Sequence, residues 1–425
     1  MSTYNLLSRI QTKRARIGVI GLGYVGLPLA LAFAKVGFSV TGFLRNPQKL
    51  RQLTLGDNYL HDPTIQKELD QVRDDGTFHV SLMDAPLIQT MDVVVICVPT
   101  PVDDTHKPDL GAMRSVAKFL KRLQLGGKLI INESTVAPGT TQKILGGLSS
   151  HTYYLACSPE RIDPGNVTKT VQKIPKVVGG KDAKSGQLTA ALYKTILEYP
   201  VVCVSNLETA EMVKILENTS RAVNIGLINE VARLSDAMGL DILEVIEAAK
   251  TKWSFSPHYP GIGVGGHCIP VDPYYLLEYA RQKDVLMPLV SNGLKENEMM
   301  VHYVAKKFLS YYKKGMRVVV YGMTYKKDVK DIRESPVVRF CNILQKHKVA
   351  FFVYDPLLTK EDIETFGYQQ GKKESVDIFV VGTDHSTIFA DYPVFIGKQT
   401  IVIDGRNYFR KKVGKKVIGV GRTLT

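Results

Sequence analysis

The chain has little cysteine and almost no tryptophan: five Cys and one Trp in 425 residues. The cysteine count is odd, the spacing is wide, and no C-x-x-C pair occurs. This excludes a dense disulfide framework and fits thiols kept reduced in a cytoplasm. Cys and His do not cluster at zinc-ligand spacing, so no metal is expected. No run approaches the roughly 18 apolar residues of a membrane-spanning helix. Met1 to Arg16 is polar and basic without an apolar core, so no secretory leader is expected. Negative charge is also in short supply, with a net charge of +14. Lys and Arg are spread along the chain, with only small clusters such as Lys411-Lys412 and Lys415-Lys416. No nucleic-acid-binding motif accompanies them, so the charge suits anionic small ligands better than DNA or RNA.

What remains is an ordinary globular composition, 44% hydrophobic and 23% charged. The length suits two or three domains. We divide the chain at 1–205, 206–310 and 311–425, an α/β region, a helical region and a second α/β region.

Ile17 to Ile20 reads as a strand, and it runs into Gly21-Leu22-Gly23-Tyr24-Val25-Gly26 and an apolar helix from Leu27 to Phe33. Strand, G-x-G-x-x-G, helix is the dinucleotide-binding fingerprint. One glycine makes the turn, one admits the pyrophosphate, one packs helix on strand. The helix N-terminus then offers its unpaired N–H groups to phosphate. A second strand spans Phe38 to Phe43. An acidic residue is expected at its end to hold the ribose 2′-OH. Leu44 stands there instead, followed by Arg45. That leaves NADP use open beside NAD. Strands at Met91 to Val98 and Lys128 to Asn132 end in Pro99-Thr100-Pro101 and in Glu133-Ser134-Thr135. Ligands bind beyond the carboxyl ends of such strands.

Leu207 to Met238 is largely free of Gly and Pro and reads as one long helix. Lys214 and Asn218 share a face of it. Further on, Gly263-Val264-Gly265-Gly266-His267-Cys268 sets one cysteine in a glycine loop, with Asp272 four residues later. Such glycines let backbone approach a ligand. The cysteine reads as a nucleophile, and a buried structural thiol is the plain alternative. From Met316 an α/β pattern restarts, with strands at Met316 to Gly322, Val349 to Asp355, Ile378 to Val381 and Thr400 to Asp404.

In order, these motifs resemble the UDP-glucose/GDP-mannose dehydrogenase superfamily, the nucleotide-sugar 6-dehydrogenases, from about Ile17 to about Asn407. The likeness also rests on Ser158-Pro159-Glu160-Arg161, Glu211-Met212-Val213-Lys214, Tyr325-Lys326-Lys327-Asp328, Asp331-Ile332-Arg333-Glu334-Ser335 and Asp404-Gly405-Arg406. His267-Cys268-Ile269-Pro270 resembles the UDP-N-acetylhexosamine branch, and Asn58-Tyr59-Leu60 and the run Ser158 to Asn166 resemble its UDP-N-acetylglucosamine members more than its UDP-N-acetylmannosamine members.

The resemblance implies two Rossmann-like doubly wound domains joined by a long central helix and a helical dimerisation region. It implies oxidation of the sugar C6 to a carboxylate with NAD as acceptor. Cys268 would attack an aldehyde as thiolate, making the thiohemiacetal that a second oxidation needs. Lys214 and Asn218 would donate to the oxyanion. Asp272 would orient water or pair with Lys214, Glu160 would be the base for thioester hydrolysis, and Thr135 would hold the water. Gly21, Gly23, Tyr24, Val25, Gly26, Arg45, Pro99, Thr100, Thr135 and Arg333 are the expected cofactor contacts. Glu160, Arg161, Lys214, Asn218, Tyr259, Gly265, Lys326 and Arg406 are the expected UDP-sugar contacts. A homodimer or larger homo-oligomer in the cytoplasm, with no nucleic-acid or membrane partner, completes the expectation. UDP-N-acetylmannosamine and UDP-glucose are alternative substrates. A single-step dehydrogenase of the 6-phosphogluconate type needs neither Cys268 nor the last third. A binding regulator that has lost catalysis would not need Lys214, Asn218, Cys268 and Asp272 together.

Overall fold

A computed structural model describes residues 3–60, 62–103, 105–149, 152–161 and 171–424. Ile162 to Asn166, which contribute to the branch resemblance, lie outside the described residues. The chain divides into two compact units, Met1–Glu217 with Tyr274–Lys283, and Asn218–Pro273 with Asp284–Thr425.

The first unit is built on an eight-stranded sheet. Its strands are β1 (Arg16–Ile20), β2 (Ser39–Leu44), β3 (Phe78–Leu82), β4 (Val93–Ile96), β5 (Leu129–Asn132), β6 (Tyr154–Cys157), β7 (Lys176–Gly180) and β8 (Val201–Val204). The spatial order is β3-β2-β1-β4-β5-β6-β7-β8. All pairs are parallel except β6 with β7. The central strands β4 and β5 are buried on both faces, so their sequences are near-continuous apolar runs rather than alternating ones. Val93 and Val95 join one core cluster, Val94 and Ile96 the other. The order reverses between β1 and β4, which places a ligand crevice at their carboxyl ends.

The second unit carries a six-stranded sheet of β9 (Val318–Tyr321), β10 (Phe352–Tyr354), β11 (Val376–Val381), β12 (Ile396–Asp404), β13 (Lys416–Gly419) and β14 (Thr423–Leu424). Its order is β10-β9-β11-β12-β13-β14, parallel until the last pair. The helix Pro336–Lys346 starts where Ser335 caps the Val337 N–H at 3.2 Å. The two doubly wound α/β sheets expected from the sequence are both present, as is the long helix, Leu207–Met238. The helix Pro288–Tyr311 meets it through glycines. A Cβ on Gly226 would lie 2.7 Å from the Gly293 carbonyl oxygen.

Several boundaries move: β2 is Ser39–Leu44 rather than Phe38 to Phe43, β4 is Val93–Ile96 rather than Met91 to Val98, and β12 starts at Ile396 rather than Thr400. The helix after the glycine turn is Gly26–Lys35, longer than the apolar run suggests. The strand read from Val349 begins only at Phe352. Among the described residues, no helix is long and apolar enough to cross a membrane.

Candidate active site

The three fingerprint glycines serve three different purposes. Gly21 has φ +93°, and a Cβ there would meet the Cys97 carbonyl oxygen at 2.5 Å. Gly26 packs so closely that a Cβ would lie 1.9 Å from the Gly21 oxygen. Around Gly23 no atom comes within 4 Å of a built Cβ. That open cradle is where a pyrophosphate needs backbone N–H groups without side chains in the way. The helix that follows has Val25 as N-cap and no side-chain capping hydrogen bond; Leu27 N–H donates to the Gly23 carbonyl at 3.1 Å and Pro28 has no N–H, so the Gly26 N–H is the donor of this first turn left for an anion. Tyr24 and Val25 lie in this turn. The residues present therefore fit a dinucleotide.

β2 ends at Leu44, which is 7% exposed, and Arg45 follows in solvent. The side chain of Asn46 is already occupied, accepting from Gln48 and Lys49 N–H at 2.9 and 3.0 Å as a helix cap. Neither residue supplies the usual carboxylate.

The loops after β4 and β5 are sewn together. Thr100 Oγ1 donates to the Thr135 carbonyl at 2.7 Å, and Ser134 Oγ to the Val98 carbonyl at 2.7 Å. Tyr275 Oη donates to the Thr100 carbonyl at 2.6 Å. Pro99 is exposed at the rim. Glu211, fully buried on the long helix, accepts from the Gly139 and Thr141 N–H groups at 2.6 and 2.8 Å. It thereby caps the helix Thr140–Leu145, whose own N-cap is Gly139. Burial pushes the Glu211 carboxyl up to about 7 against those hydrogen bonds. Glu160, 7% exposed, pairs with Lys176 at 3.0 Å. Arg161 reaches Glu217 at 2.7 Å and the Pro175 carbonyl at 2.7 Å. Lys214, 8% exposed, lies one turn before Asn218 on the long helix.

In the second unit Cys268 is solvent-exposed, not buried. Its carbonyl accepts from the Val271 and Asp272 N–H groups at 3.0 and 2.8 Å, a turn that opens the helix Asp272–Gln282. Asp272 is 3% exposed, and its Oδ2 accepts from Asn218 Nδ2 at 2.5 Å. Asp272 therefore holds Asn218, a pairing the sequence reading had not assigned. The glycine loop is pressed against the second sheet's loops. A Cβ on Gly265 would lie 2.7 Å from Tyr325 Cβ, and one on Gly266, at φ +91°, 2.6 Å from the Tyr325 ring. Gly266 N–H donates to the Arg333 carbonyl at 3.2 Å, and Arg339 Nη2 to the Val264 carbonyl at 3.0 Å. Burial and the Arg333 charge hold the His267 imidazole below its usual range, hence neutral.

Two buried amides anchor the start of this loop. Gly261 N–H donates to Asn229 Oδ1 at 3.1 Å, Asn229 Nδ2 to Asn297 Oδ1 at 3.0 Å, and Asn297 Nδ2 to the Ala222 carbonyl at 2.8 Å. Sequence reasoning passed over both asparagines. The signal was there, a polar side chain at the buried position of each of two long helices.

Of the expected substrate contacts, Arg406 Nε donates to Asp384 at 3.1 Å and Arg333 forms a fork with Asp331. Tyr259, 45% exposed, donates to Glu247 at 3.0 Å. Lys326 sits in the loop after β9, between Thr324 and Asp328. Among the described residues no group of His, Cys, Asp and Glu could hold a metal ion.

Three family models match in sequence order. The NAD binding domain of the UDP-glucose/GDP-mannose dehydrogenase family matches residues 15–197, its central domain 208–299 and its UDP binding domain 319–411. The chain is 34% identical to a UDP-N-acetyl-D-mannosamine dehydrogenase of Pyrococcus horikoshii, over 96% of this chain and 99% of that one. It is 35% identical to a UDP-N-acetyl-D-glucosamine 6-dehydrogenase of Pseudomonas aeruginosa, over 82% and 85%. The solved structure of the Pyrococcus horikoshii UDP-D-ManNAc dehydrogenase superposes with a TM-score of 0.83 at 31% identity, covering 96% of this chain and 99% of that chain. The fingerprint turn, the cysteine loop and the second sheet thus fall in the matched domains in the matched order, and the chain belongs to the UDP-glucose/GDP-mannose dehydrogenase family of NAD-dependent oxidoreductases.

Proposed function

We propose that this chain oxidises C6 of a UDP-N-acetylhexosamine, UDP-N-acetylglucosamine favoured, from alcohol to carboxylate in two steps. One observation carries the covalent part. Cys268 is exposed in a loop of close-packed glycines, at the head of a helix whose first residue holds Asn218. Relatives that act on UDP-N-acetylglucosamine and UDP-N-acetylmannosamine, by their names, support the substrate class.

NAD⁺, when bound at the glycine turn, accepts hydride. The chain's own residues do the rest. The Cys268 thiolate adds to the C6 aldehyde and gives a thiohemiacetal oxyanion. Lys214 and Asn218 donate to that oxyanion, with Asp272 fixing the Asn218 amide. Loss of a second hydride, which a second NAD⁺ at the same turn would accept, leaves a thioester. Glu160 takes a proton from water as the water adds to the acyl carbon, the C–S bond breaks, and the thiolate is restored. Thr135 holds that water. Arg161, Tyr259, Gly265, Lys326 and Arg406 bind the UDP-sugar, and Tyr24, Val25, Pro99, Thr100 and Arg333 line the cofactor. In this reading the chain works as 1–205, 206–310 and 311–425. Incubation with UDP-N-acetylglucosamine, UDP-N-acetylmannosamine, UDP-N-acetylgalactosamine and UDP-glucose, with reduced cofactor counted per sugar, tests it. Highest kcat/KM with UDP-glucose would overturn the N-acetylhexosamine assignment, and preference for UDP-N-acetylmannosamine would correct the epimer.

The missing carboxylate at Leu44 supports measurable NADP⁺ use beside NAD⁺. A lost charged hydrogen bond to the ribose costs about 1.5–3 kcal/mol, and Arg45 can pair with a 2′-phosphate. We expect Leu44→Asp to raise the NAD⁺ over NADP⁺ ratio of kcat/KM about tenfold or more. An unchanged ratio would show that the ribose is held elsewhere.

We also propose a homodimer or larger assembly through the helical region. Leu227, Leu234 and Met238 recur on one side of the long helix and are 59%, 58% and 62% exposed. Sedimentation at micromolar concentration should give at least twice the 47.2 kDa chain mass. A monomer would refute it.

A further inference from the structure

A lysine that none of the preceding assignments explains sits among the carboxylates of the first unit. Lys176 opens β7 in the apolar run Lys176-Val177-Val178-Gly179-Gly180, and it is only 1% exposed. Its Nζ donates to Glu133 Oε2, to Glu160 Oε2 at 3.0 Å and to the Ser158 carbonyl at 3.3 Å. Glu133 follows β5 and Glu160 follows β6, so two neighbouring strands deliver the two carboxylates to one ammonium. Tyr193, at the end of the helix Ala183–Tyr193, donates to Glu133 Oε1, and its ring lies 5.1 Å from Lys176 Nζ. The Arg161 N–H donates to Glu160 Oε1 at 2.6 Å. Among the described residues two further titratable groups face the cluster, the buried thiols of Cys97 after β4 and Cys157 at the end of β6, both held neutral chiefly by burial, with Glu133 adding to it.

Among the described residues one cation faces these two carboxylates, all three groups are buried, and burial disfavours the charged form of the deeper carboxyl. Glu133 is the deeper of the two, 1% exposed against 7%, and burial pushes it up to about 7. With Glu133 neutral, Lys176 is committed to Glu160. With Glu133 ionised, Lys176 is shared and Glu160 is held less tightly.

We propose that Lys176 is a positioning residue for Glu160, orienting its carboxylate and keeping it ionised, and that Glu133 acts through Lys176 to set how tightly Glu160 is held. This deepens the reading of Glu160 as the base of thioester hydrolysis and rests on it. A purely structural lysine would hold the strands together without touching the pH dependence of that step.

The test mixes enzyme with UDP-N-acetylglucosamine and excess NAD⁺ between pH 5.5 and 9. Reduced cofactor is followed in time, and acyl-enzyme by mass after quenching. Lys176→Met should leave the first burst of reduced cofactor nearly intact, slow acyl-enzyme breakdown about 100-fold and move its acid limb up by about one pH unit. Lys176→Arg should restore both. Glu133→Gln keeps the shape and the lysine, and it should move the acid limb down. It also decides the matter alone if Lys176→Met does not fold. Acid limbs unmoved in every folded variant would overturn the proposal. Glu160→Gln separates the two layers. If it accumulates acyl-enzyme, the base reading stands and the limbs judge Lys176. If no acyl-enzyme forms, both fall.

Discussion

Replacing Cys268 by Ala should abolish production of the uronic acid, lowering kcat by roughly 10⁴-fold or more, while UDP-sugar binding stays near that of the parent. The size follows from the chemistry. A hydride acceptor takes an alcohol to an aldehyde, but an aldehyde has no leaving hydride until a nucleophile makes its carbon tetrahedral. Cys268 is exposed, and its carbonyl accepts the Val271 and Asp272 N–H groups that form the turn. Truncating the side chain therefore removes the nucleophile and leaves the loop. Cys268→Ser keeps a hydroxyl of much higher pKa and should stall nearly as completely. The parent enzyme should release two reduced cofactors per sugar, counted by absorbance against product. A ratio of one with free aldehyde, or an Ala variant with parental kcat, would sink the covalent route.

The features read correctly in advance are those whose physics is local. A glycine turn between strand and helix is a matter of six residues, and Gly21-Leu22-Gly23-Tyr24-Val25-Gly26 takes the expected form. Leu207–Met238 was visible because nothing in its sequence stops a helix. Leu44 was placed at the end of β2 by counting from the glycines. Invisible features depend on partners far away in sequence. Lys176 and Glu133 are 43 residues apart, and Asn229 and Asn297 are 68 apart. In each case a single polar residue sits in an apolar stretch, and its meaning depends on which strand or helix the fold sets beside it. The reversal of β7 against β6 is of the same kind, since a strand's direction is not encoded in its own residues. Asp272 is the intermediate case. Its place four residues after Cys268 was plain, but its partner, Asn218, is 54 residues away.

Gly23 and Gly26 should fail in opposite ways when each is changed to Ala, although both belong to one motif. At Gly26 the new methyl would sit 1.9 Å from the Gly21 carbonyl oxygen and 3.0 Å from Cys97 Cβ. Backbone cannot yield as a flexible side chain does. The turn must open, at a cost of about 3 kcal/mol or more, beyond the usual range for overpacking. Urea unfolding without cofactor should show that loss directly, and NAD⁺ binding should be lost with it. At Gly23 no atom lies within 4 Å of the methyl. The apo protein should keep its stability to within about 0.5 kcal/mol, as exposed substitutions do. The methyl instead occupies the space a pyrophosphate needs, and it denies that phosphate a bare N–H. Calorimetry should show NAD⁺ affinity about 10- to 100-fold weaker, the equivalent of losing one charged hydrogen bond. The pair is decisive because stability and affinity come apart. If Gly23→Ala unfolds as easily as Gly26→Ala, the open cradle is an artefact of packing rather than a phosphate site. If Gly23→Ala binds NAD⁺ as the parent does, the dinucleotide does not cross the turn at that point.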